Sequence, residues 1–377
     1  MKKILILFGT RPEAIKLAPV IKALLQSKSF KIVVCSTGQH REMLKQVLDI
    51  FNLRIDHDLD LMKPNQDLYD ITTIALSRLR DVIKTEKPDL LIVQGDTTTA
   101  FVSSLAAFYG KIKIGHVEAG LRSYNIFSPY PEEANRRFIS VLADFNWAPT
   151  KETKENLIRE GTNSRNIWVT GNTVVDALNE IKAYLNREDE YNTVRQSFCD
   201  ILPQDFEKRK YILITLHRRE KFGDEFRNLL FTLKELAESN SEMNFIYPVH
   251  LNPNVKGPVE TILGKQSNFY LLPPQDYLKF IYLMKHCFFI MTDSGGIQEE
   301  GFTFRKPIMV LRDVTERNEA LKAGYAFLLG SDAVKIKSKF MDITKKLNAG
   351  YNYFTMKNPY GDGKASGRIV KTLLKNL

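Results

Sequence analysis

Short, mostly apolar segments alternate with longer amphipathic segments along most of this chain. In the first half the apolar segments are residues 4–8, 32–35, 90–93 and 112–115, separated by helical patterns such as residues 12–26, 67–84 and 97–109. Strands that are apolar on both faces and are followed by helices are typical of a parallel sheet covered on both sides. The pattern therefore predicts a doubly wound α/β unit.

The same alternation restarts in the second half, after a polar interval. Residues 182–209 are rich in Asn, Arg, Asp, Glu and Gln, which favours a surface connection or an irregular start to a second unit. The strand candidates that follow are residues 211–216, 245–248, 269–272, 288–292 and 308–311. Two α/β units in tandem imply a cleft between them, where a ligand is expected.

Composition excludes more functions than it identifies. A length of 377 residues suits two or three domains, at roughly 100–200 residues each. The formal net charge of +10 favours anionic partners such as nucleotides, but the basic residues are scattered, which argues against nucleic acid and acidic lipid. No later apolar stretch approaches the ~20 residues of a membrane span, and the apolar start suits a first strand better than a signal peptide. The three cysteines lack zinc or disulfide spacing, so we expect a cytoplasmic protein without a metal site.

Unusual polar residues follow five of the strand candidates. These segments are residues 9–13 (Gly-Thr-Arg-Pro-Glu), 95–99 (Gly-Asp-Thr-Thr-Thr), 116–122 (His-Val-Glu-Ala-Gly-Leu-Arg), 217–220 (His-Arg-Arg-Glu) and 293–296 (Asp-Ser-Gly-Gly). Ligands of open α/β sheets bind outside the carboxyl ends of the strands. We therefore expect catalytic and binding residues at this edge of both sheets.

Two of these segments have the character of anion sites. Arg11 lies at a helix start, where its guanidinium and free backbone N–H groups suit a phosphate or carboxylate, although a plain strand-to-helix turn is the alternative. Residues 294–296 (Ser-Gly-Gly) open another helix and allow backbone N–H groups to approach a diphosphate, unless the glycines serve only tight packing. Glu300 is placed to accept hydrogen bonds from ribose hydroxyls. Arg317 is a further basic group, with a solvated ion pair as its alternative.

Carboxylates are concentrated near the predicted cleft. The set comprises Asp96, Glu118, Glu132 and Glu133, with Arg136 one helical turn after Glu132. Carboxylates held together have divergent pKa values, which suits proton removal at one face of a carbon and proton delivery at the other. Each also has a structural alternative: Asp96 as a helix cap, and Glu132 as an ordinary residue of a first helical turn.

His217 ends an apolar strand beside two arginines. A histidine there suits a hydrogen bond to a phosphate or proton transfer to a leaving oxygen, and a satisfied buried histidine is the alternative. The sequence has no nucleophile elbow and no Cys–His signature, which argues against covalent hydrolase chemistry.

Taken in order along nearly the whole chain, these motifs resemble the non-hydrolysing UDP-N-acetylglucosamine 2-epimerases, bacterial enzymes of GT-B fold. The matching segments are residues 9–13, 39–44, 95–99, 116–122, 128–133, 217–220, 248–254, 293–300 and 358–363. So many motifs in one order are specific to the family. For the fold, the resemblance implies two Rossmann-like domains facing a central cleft, over residues 1–170 and 171–362, with a C-terminal helix at about 363–377 that packs back onto the first.

For the activity, the resemblance implies interconversion of UDP-N-acetylglucosamine and UDP-N-acetylmannosamine by inversion at C2, for bacterial surface polysaccharide synthesis. UDP is eliminated to leave a 2-acetamidoglucal and is then added back, without a redox cofactor or a metal. The residues implied for catalysis are the acid/base carboxylates Asp96, Glu118 and Glu132, the supporting Arg136, and His217 at the diphosphate leaving group. The residues implied for UDP binding are Arg11, Ser294, Gly295, Gly296, Glu300 and Arg317, with Phe280 lining the uracil pocket unless it is plain core packing.

The resemblance also implies partners. It predicts a homodimer, and a UDP-sugar that is both the substrate and an allosteric activator, with no nucleic-acid or membrane partner. Gln39, Gln66 and His250 match the positions of a second, activating site beside the catalytic one. The alternative for these polar residues is that they only order loops at the strand ends.

The chain departs from the family pattern at three places. These are residues 301–305 (Gly-Phe-Thr-Phe-Arg), Asn318 in place of the usual Pro, and Lys221 in place of the usual Asn. All three flank the nucleotide site and leave the carboxylates unchanged. The competing functions are a GT-B glycosyltransferase, a hydrolysing epimerase that releases UDP and N-acetylmannosamine, a UDP-sugar sensor, and a nucleic-acid-binding protein.

Overall fold

A computed structural model of the chain describes residues 1–38, 41–61, 66–216 and 223–377. The chain forms two compact units: Met1–Asn179 with Tyr360–Leu377, and Glu180–Pro359. The family resemblance implies divisions at 170/171 and 362/363. The first division falls later because one continuous helix, Thr173–Tyr184, begins in the first unit and ends in the second.

The first unit contains a seven-stranded sheet with the order β3-β2-β1-β4-β5-β6-β7. Its strands are β1 (Lys2–Phe8), β2 (Phe30–Ser36), β3 (His57–Asp58), β4 (Leu90–Gln94), β5 (Lys113–Val117), β6 (Phe145–Ala148) and β7 (Ile167–Val169). Every neighbouring pair is parallel. The order reverses between β1 and β4, which is the switch point where doubly wound sheets bind ligands.

Helices cover this sheet. They are α1 (Arg11–Ser27), α2 (Arg41–Phe51), α3 (Leu68–Glu86), α4 (Thr98–Tyr109), α5 (Glu132–Leu142), α6 (Lys151–Arg159), a 3₁₀ turn (Ser164–Asn166), α7 (Thr173–Tyr184) and, from the chain end, α15 (Ala365–Asn376). Residues 4–7 of β1 and 90–93 of β4 are all buried, as their apolar sequences predict. The last helix, α15, packs against α1, and the Asp176 carboxylate accepts hydrogen bonds from the first two N–H groups of α15.

The second unit repeats this architecture with six parallel strands in the order β10-β9-β8-β11-β12-β13. The strands are β8 (Tyr211–Thr215), β9 (Asn244–Pro248), β10 (Phe269–Leu272), β11 (Phe289–Thr292), β12 (Ile308–Val310) and β13 (Ala326–Leu328). The helices are α8 (Glu188–Gln196), α9 (Asp224–Glu238), α10 (Pro253–Leu263), α11 (Tyr277–His286), α12 (Gly295–Thr303), α13 (Asn318–Lys322) and α14 (Ala333–Asn348). The switch point lies between β8 and β11.

The polar interval at residues 182–209 is an irregular start to the second unit rather than a loose connection. It contains α8, which packs against α11. Phe198 and Phe206 are almost fully buried, and the ring of Phe198 stacks on Tyr282 with 5.8 Å between centroids. Among the described residues, no helix has the length and apolarity needed to cross a membrane.

Candidate active site

Two of the predicted carboxylates leave the same edge of the first sheet. Asp96 follows β4 by two residues, and Glu118 directly follows β5. Because β4 and β5 are parallel neighbours, with Gln94 opposite Val117, the two segments that follow these strands leave the sheet side by side. Glu132 is the first residue of α5 and is half-buried. The sheet therefore brings Asp96 and Glu118 together as the sequence predicted.

Glu118 is held by groups that the sequence did not single out. Its side chain is 3% exposed, and its carboxylate accepts hydrogen bonds from Lys16 Nζ at 2.8 and 2.6 Å and from the Gln94 amide. Its backbone has a φ of +67°, a left-handed conformation that is uncommon for residues other than glycine and is found more often at functional sites. The available sequence signal was Lys16 itself, a cation within a helix that is otherwise largely apolar. A buried carboxylate that is paired in this way has a defined position.

Asp96 has a different environment. Its side chain is 25% exposed, and its Oδ2 accepts a hydrogen bond from Arg136 Nη2 at 2.5 Å. Its backbone carbonyl accepts a hydrogen bond from Asn135 Nδ2 at 2.9 Å. The helix cap that was the alternative role for Asp96 belongs to Thr97, whose hydroxyl accepts the N–H of Ala100. The Asp96 carboxylate is thus placed by α5 and not used as a cap.

His116 lies in β5 and supports the same turn. It is fully buried, and its Nε2–H donates to the Gly95 carbonyl at 2.7 Å. Burial lowers the pKa of His116 to about 4, an effect to which the positive charges of Arg122 and Arg136 add. Its Nδ1 has no hydrogen-bond partner among the described atoms, so a second proton would have no acceptor. His116 is therefore a neutral donor near pH 7.

Glu133, which the sequence grouped with the acid/base carboxylates, has a structural role. It is fully buried and accepts hydrogen bonds from the N–H groups of Ser123 at 2.9 Å and Tyr124 at 3.3 Å. It also pairs with Arg136 and Arg137 at 3.3 Å. These contacts fix the segment between β5 and α5, so grouping Glu133 with the proton-transfer residues was wrong.

The start of α1 already contains an anion of its own. The Glu13 carboxylate accepts hydrogen bonds from the N–H groups of Gly9 at 3.0 Å and Thr10 at 2.7 Å, and from the hydroxyl of Thr97 at 2.7 Å. Burial raises the pKa of Glu13, and these hydrogen bonds act against that rise. Because Glu13 occupies the two N–H groups, an anion site at this turn depends on the half-exposed Arg11 side chain.

The two glycines at the N-terminus of α12 have different roles, one in close packing and one in leaving the backbone open. Ser294 is the N-cap residue, and its N–H donates to the Thr292 hydroxyl at 2.9 Å. A Cβ added to Gly295 would lie 3.3 Å from the Arg317 guanidinium carbon, so Gly295 serves close packing. A Cβ added to Gly296 would meet no atom of the described residues within 4 Å, so none of them blocks this part of the backbone. Open backbone at a helix start is suited to a diphosphate.

Arg317 lies beside this turn in a buried ion-pair cluster. Its Nε donates to Glu299 at 2.9 Å, its Nη1 donates to Glu316 at 2.6 Å, and Arg312 also pairs with Glu316 at 3.1 Å. All four side chains are buried, so the expected alternative of a solvated ion pair was wrong. Arg317 supports the backbone of Gly295 as well as lying near the predicted nucleotide position.

The predicted ribose and uracil residues lie on α12 and α11. Glu300 is half-buried, and its Oε1 accepts a hydrogen bond from the Tyr277 hydroxyl at 3.2 Å. Phe280 is three residues after Tyr277 on α11, on the same helical face, and is half-buried. Phe280 is therefore not fully enclosed in the core, and its role at the uracil stays a prediction.

The departure at residues 301–305 has a packing explanation. A Cβ on Gly301 would lie 2.5 Å from Ile308 Cδ1. The Phe302 ring packs edge-on against Tyr325 and Phe354, with centroids 5.0 and 5.1 Å apart. Arg305 donates to the Phe354 carbonyl at 3.3 Å. Gly301 and Phe302 lie about 10–12 Å along α12 from Ser294, given 1.5 Å per helical residue, so their contacts support the helix from its far end.

Four of the predicted site residues, His217, Gln39, Gln66 and His250, lie outside the described residues or in loops. His217 and Gln39 fall outside the described residues, as does Lys221. Gln66 Nε2 donates to the Leu61 carbonyl at 2.9 Å, and the exposed His250 accepts the N–H of Asn252 at 3.1 Å. These two contacts are of the loop-ordering kind, and the activating site stays a prediction. Within the described parts of the chain, no group of three His, Cys, Asp or Glu side chains is arranged to hold a metal ion.

Comparison with known proteins identifies the family. A family model described as UDP-N-acetylglucosamine 2-epimerase matches residues 22–374. The chain belongs to the UDP-N-acetylglucosamine 2-epimerase family. A relative of that name from Neisseria meningitidis is 48% identical over 374 residues, covering 99% of this chain and 100% of its own. Another of that name from Salmonella typhimurium is 46% identical, covering 98% of each chain.

Solved structures of the family agree with this fold. The structure of the N. meningitidis 2-epimerase bound to UDP-GlcNAc has a TM-score of 0.94 at 48% identity and covers 99% of this chain and 100% of its own. The S. aureus MnaA–UDP co-structure has a TM-score of 0.90 at 41% identity, covering 100% and 98%. A Methanocaldococcus jannaschii 2-epimerase in complex with UDP-GlcNAc and UDP has a TM-score of 0.83 at 33% identity, covering 100% of both chains. The predicted family and the predicted GT-B class of two doubly wound domains are confirmed.

We predict that His116 makes the first unit less stable in acid. Its pKa of about 4 in the folded protein lies below the 6.5 of an unperturbed histidine. Its contribution to the unfolding free energy is therefore complete above pH 6.5 and is lost as the pH falls to 4, by roughly 3 kcal/mol. Both tryptophans lie in this unit, in β6 and β7, so urea unfolding followed by tryptophan fluorescence reports on it. The loss between pH 7 and pH 4 should be about 2–3 kcal/mol larger for wild type than for His116→Gln, and equal losses would contradict the prediction.

Proposed function

We propose that this protein interconverts UDP-N-acetylglucosamine and UDP-N-acetylmannosamine by inverting C2, without a redox cofactor or a metal. Family membership and the UDP-sugar ligands of the related structures support the substrate class. The observation that carries the proposal is the pair of carboxylates on neighbouring strand ends. Glu118 is paired with Lys16, and Asp96 is paired with Arg136.

The proposed reaction consists of an elimination and its reversal on the other face. One carboxylate takes the proton from C2, the C1–O bond to UDP breaks, and a double bond forms between C1 and C2 of the 2-acetamidoglucal. A second carboxylic acid then delivers a proton to the opposite face of C2 as UDP adds back to C1. The roles fall to Asp96, Glu118 and Glu132, with Arg136 holding Asp96 and His217 assisting the departing diphosphate. Separate cationic partners for Asp96 and Glu118 keep these two carboxylates in distinct positions.

Nucleotide binding is assigned to the second unit and Arg11. We place the diphosphate at Ser294 and the open backbone of Gly296, where the start of α12 offers N–H groups and a favourable dipole. Glu300 is assigned to the ribose and Phe280 to the uracil. Gly295 and Arg317 keep this turn in shape and complete the UDP site.

Proton NMR in deuterated water tests the reaction. With UDP-N-acetylglucosamine and no added cofactor, deuterium should enter C2 of both epimers during turnover, because the C2 proton passes through carboxyl groups that exchange with solvent. Retention of all C2 protium in the product would contradict the proton-exchange mechanism. Accumulation of free N-acetylmannosamine with UDP would instead identify a hydrolysing epimerase, and turnover only with an added acceptor would identify a transferase.

Carboxamide variants should separate chemistry from binding. Asp96→Asn and Glu118→Gln keep the side-chain shape but remove a proton-transfer group, so kcat should fall by roughly 10²–10⁴ with little change in UDP affinity. Arg11→Ala and Glu300→Ala should instead weaken UDP binding, measured by calorimetry. Asp332→Asn, which changes an exposed cap of α14, is the matched control with normal kcat. Loss of UDP binding in the carboxamide variants as severe as in Arg11→Ala would refute this division of roles.

We also propose a homodimer that uses the outer face of α3, α4 and α5. Large apolar side chains on this face are exposed: Tyr69, Phe108, Tyr109, Phe138 and Val141. Val141 is 84% exposed, and the Phe138 ring packs on Phe101 with 5.2 Å between centroids. Several large exposed apolar side chains on one group of helices favour an interaction surface there. These helices belong to the first unit, whereas α12 belongs to the second.

Charge at the centre of this face should dissociate the dimer. In analytical ultracentrifugation, Val141→Glu should sediment as a monomer at concentrations where wild type is a dimer, because a buried unpaired carboxylate is costly at an interface. Val334→Glu is the matched control, since Val334 is 77% exposed on α14 of the other unit. A Val141→Glu dimer of unchanged stability, or a monomeric wild type, would contradict the proposal.

Activation by the substrate is the regulatory part of the proposal. Gln39, Gln66 and His250 are assigned to a second UDP-sugar site, with coupling of ~1–3 kcal/mol to the first. The forward rate should then rise sigmoidally with UDP-N-acetylglucosamine, and Gln66→Ala should flatten the curve. A hyperbolic rate together with full reverse activity in pure UDP-N-acetylmannosamine would reject the second site.

We further propose that the enzyme works in the cytoplasm and supplies a nucleotide sugar for bacterial surface polysaccharides. All three cysteines are free, and Cys35 and Cys287 are buried thiols whose pKa burial raises to about 12. Free buried thiols fit a reducing compartment.

A further inference from the structure

We propose that His116 is a positioning residue that holds Asp96 in its reactive orientation through the carbonyl of Gly95. This inference rests on the proposed function of Asp96. His116 lies in β5 opposite Val93 of β4, and its ring reaches across to the residue that follows β4. The hydrogen bond from Nε2–H of the fully buried His116 to the oxygen of the half-buried Gly95 is 2.7 Å long.

The peptide group between Gly95 and Asp96 depends on this hydrogen bond. The Gly95 N–H donates to the Val117 carbonyl at 3.0 Å, so the ladder between β4 and β5 ends there. Gly95 then turns the chain with a φ of +73°, and its carbonyl is held by a side chain instead of by the ladder. Without His116, this peptide plane can rotate, and its rotation changes the ψ of Gly95 and the φ of Asp96 and so redirects the Asp96 side chain.

Asp96 is thus anchored on both sides of its Cα. His116 holds the carbonyl before it, and Asn135 holds its own carbonyl at 2.9 Å. The carboxylate then meets Arg136 Nη2 at 2.5 Å. Catalytic groups must be placed within a fraction of an ångström, and a displacement of about 1 Å costs up to 10²-fold in rate. Loss of one of the two backbone anchors is therefore expected to reduce the rate of the chemical step.

The same pair of strand ends holds Glu118 in the reciprocal way. Gln94, the last residue of β4, donates to the Glu118 carboxylate beyond β5, while His116 of β5 donates to the carbonyl beyond β4. Each proposed acid/base residue is thus held by a side chain of the neighbouring strand: Gln94 holds the Glu118 carboxylate, and His116 holds the carbonyl that precedes Asp96.

The environment of the ring favours positioning over proton transfer. The charged groups that face it are Arg122, Asp96 and Arg136, and burial keeps the ring neutral by holding its pKa near 4. A neutral ring with Nε2–H as the donor maintains the same hydrogen bond throughout the neutral pH range. Its role is therefore to fix geometry.

Two substitutions test the hydrogen bond itself. His116→Met fills a similar volume without a donor, and His116→Gln keeps an N–H donor at the reach of Nε2. We expect His116→Met to lower kcat by about 10–100-fold with the Kd for UDP within twofold of wild type, and His116→Gln to restore kcat to within about fivefold. The control is His57→Met, which removes a hydrogen bond to Glu86 at the sheet edge and should leave kcat within twofold. Equal kcat losses in His116→Met and His116→Gln would overturn the proposal.

A double-mutant cycle shows whether His116 acts through Asp96. In an Asp96→Asn background, followed by long-incubation NMR, His116→Met should lower kcat by less than about threefold, while its effect on the unfolding free energy persists. Full multiplication of the two losses would overturn the role of His116 and leave the proposed function intact. Normal kcat in Asp96→Asn alone would refute the proposed function and this inference with it. If His116→Met does not fold, His116→Asn, whose shorter amide cannot reach Gly95, replaces it with the same expectations.

Discussion

The parallel direction of the strands is the constraint on which the rest of this structure depends. Every strand of each sheet ends at the same edge, so the segments that follow β1, β4 and β5 are neighbours in space although they are far apart in sequence. The strands are largely apolar, and Gln94 and His116, the polar side chains near the ends of β4 and β5, bond to the segments that follow the strands. The carboxylates Asp96 and Glu118 lie after the strand ends, and at the same edge Glu13 of α1 accepts the hydroxyl of Thr97 before α4. This geometry concentrates charge in one place.

Buried charged side chains need neutralising or hydrogen-bonding partners, and each unit supplies these partners from its own residues. Lys16 and Gln94 satisfy Glu118, backbone N–H groups satisfy Glu13, and the second unit pairs Arg317 with Glu299 and Glu316. Buried ion pairs contribute little net stability, because desolvation offsets most of the attraction. These ion pairs instead fix the positions of the side chains, because separating a buried charge from its partner costs several kcal/mol of free energy.

The two units share a strand order without a visible sequence repeat, yet their edges differ. The first unit presents carboxylates with separate cations, a set suited to moving protons. The second presents the open turn at Ser294 and Gly296, a set suited to an anion. The departure at residues 301–305 supports that turn from the far end of α12 by aromatic packing. The sequence at residues 301–305 can therefore differ from the family pattern while the N-terminus of α12 keeps its position, because the packing at the far end holds the whole helix.

The sequence by itself determined the class of fold, the order of the elements and the segments that carry the chemistry. Apolar runs predict buried strands, and polar residues directly after them lie at the strand ends in any parallel sheet. Local pattern also indicated Asp96, Glu118 and the turn at Ser294. Tertiary structure decided what those residues touch. Lys16 meets Glu118 across 102 positions of the chain, Glu13 rather than a ligand fills the start of α1, and Glu133 is a support for a loop. Such pairings depend on which strands are neighbours and which side chains face the same small volume. These contacts between distant parts of the sequence form only when the sheet forms.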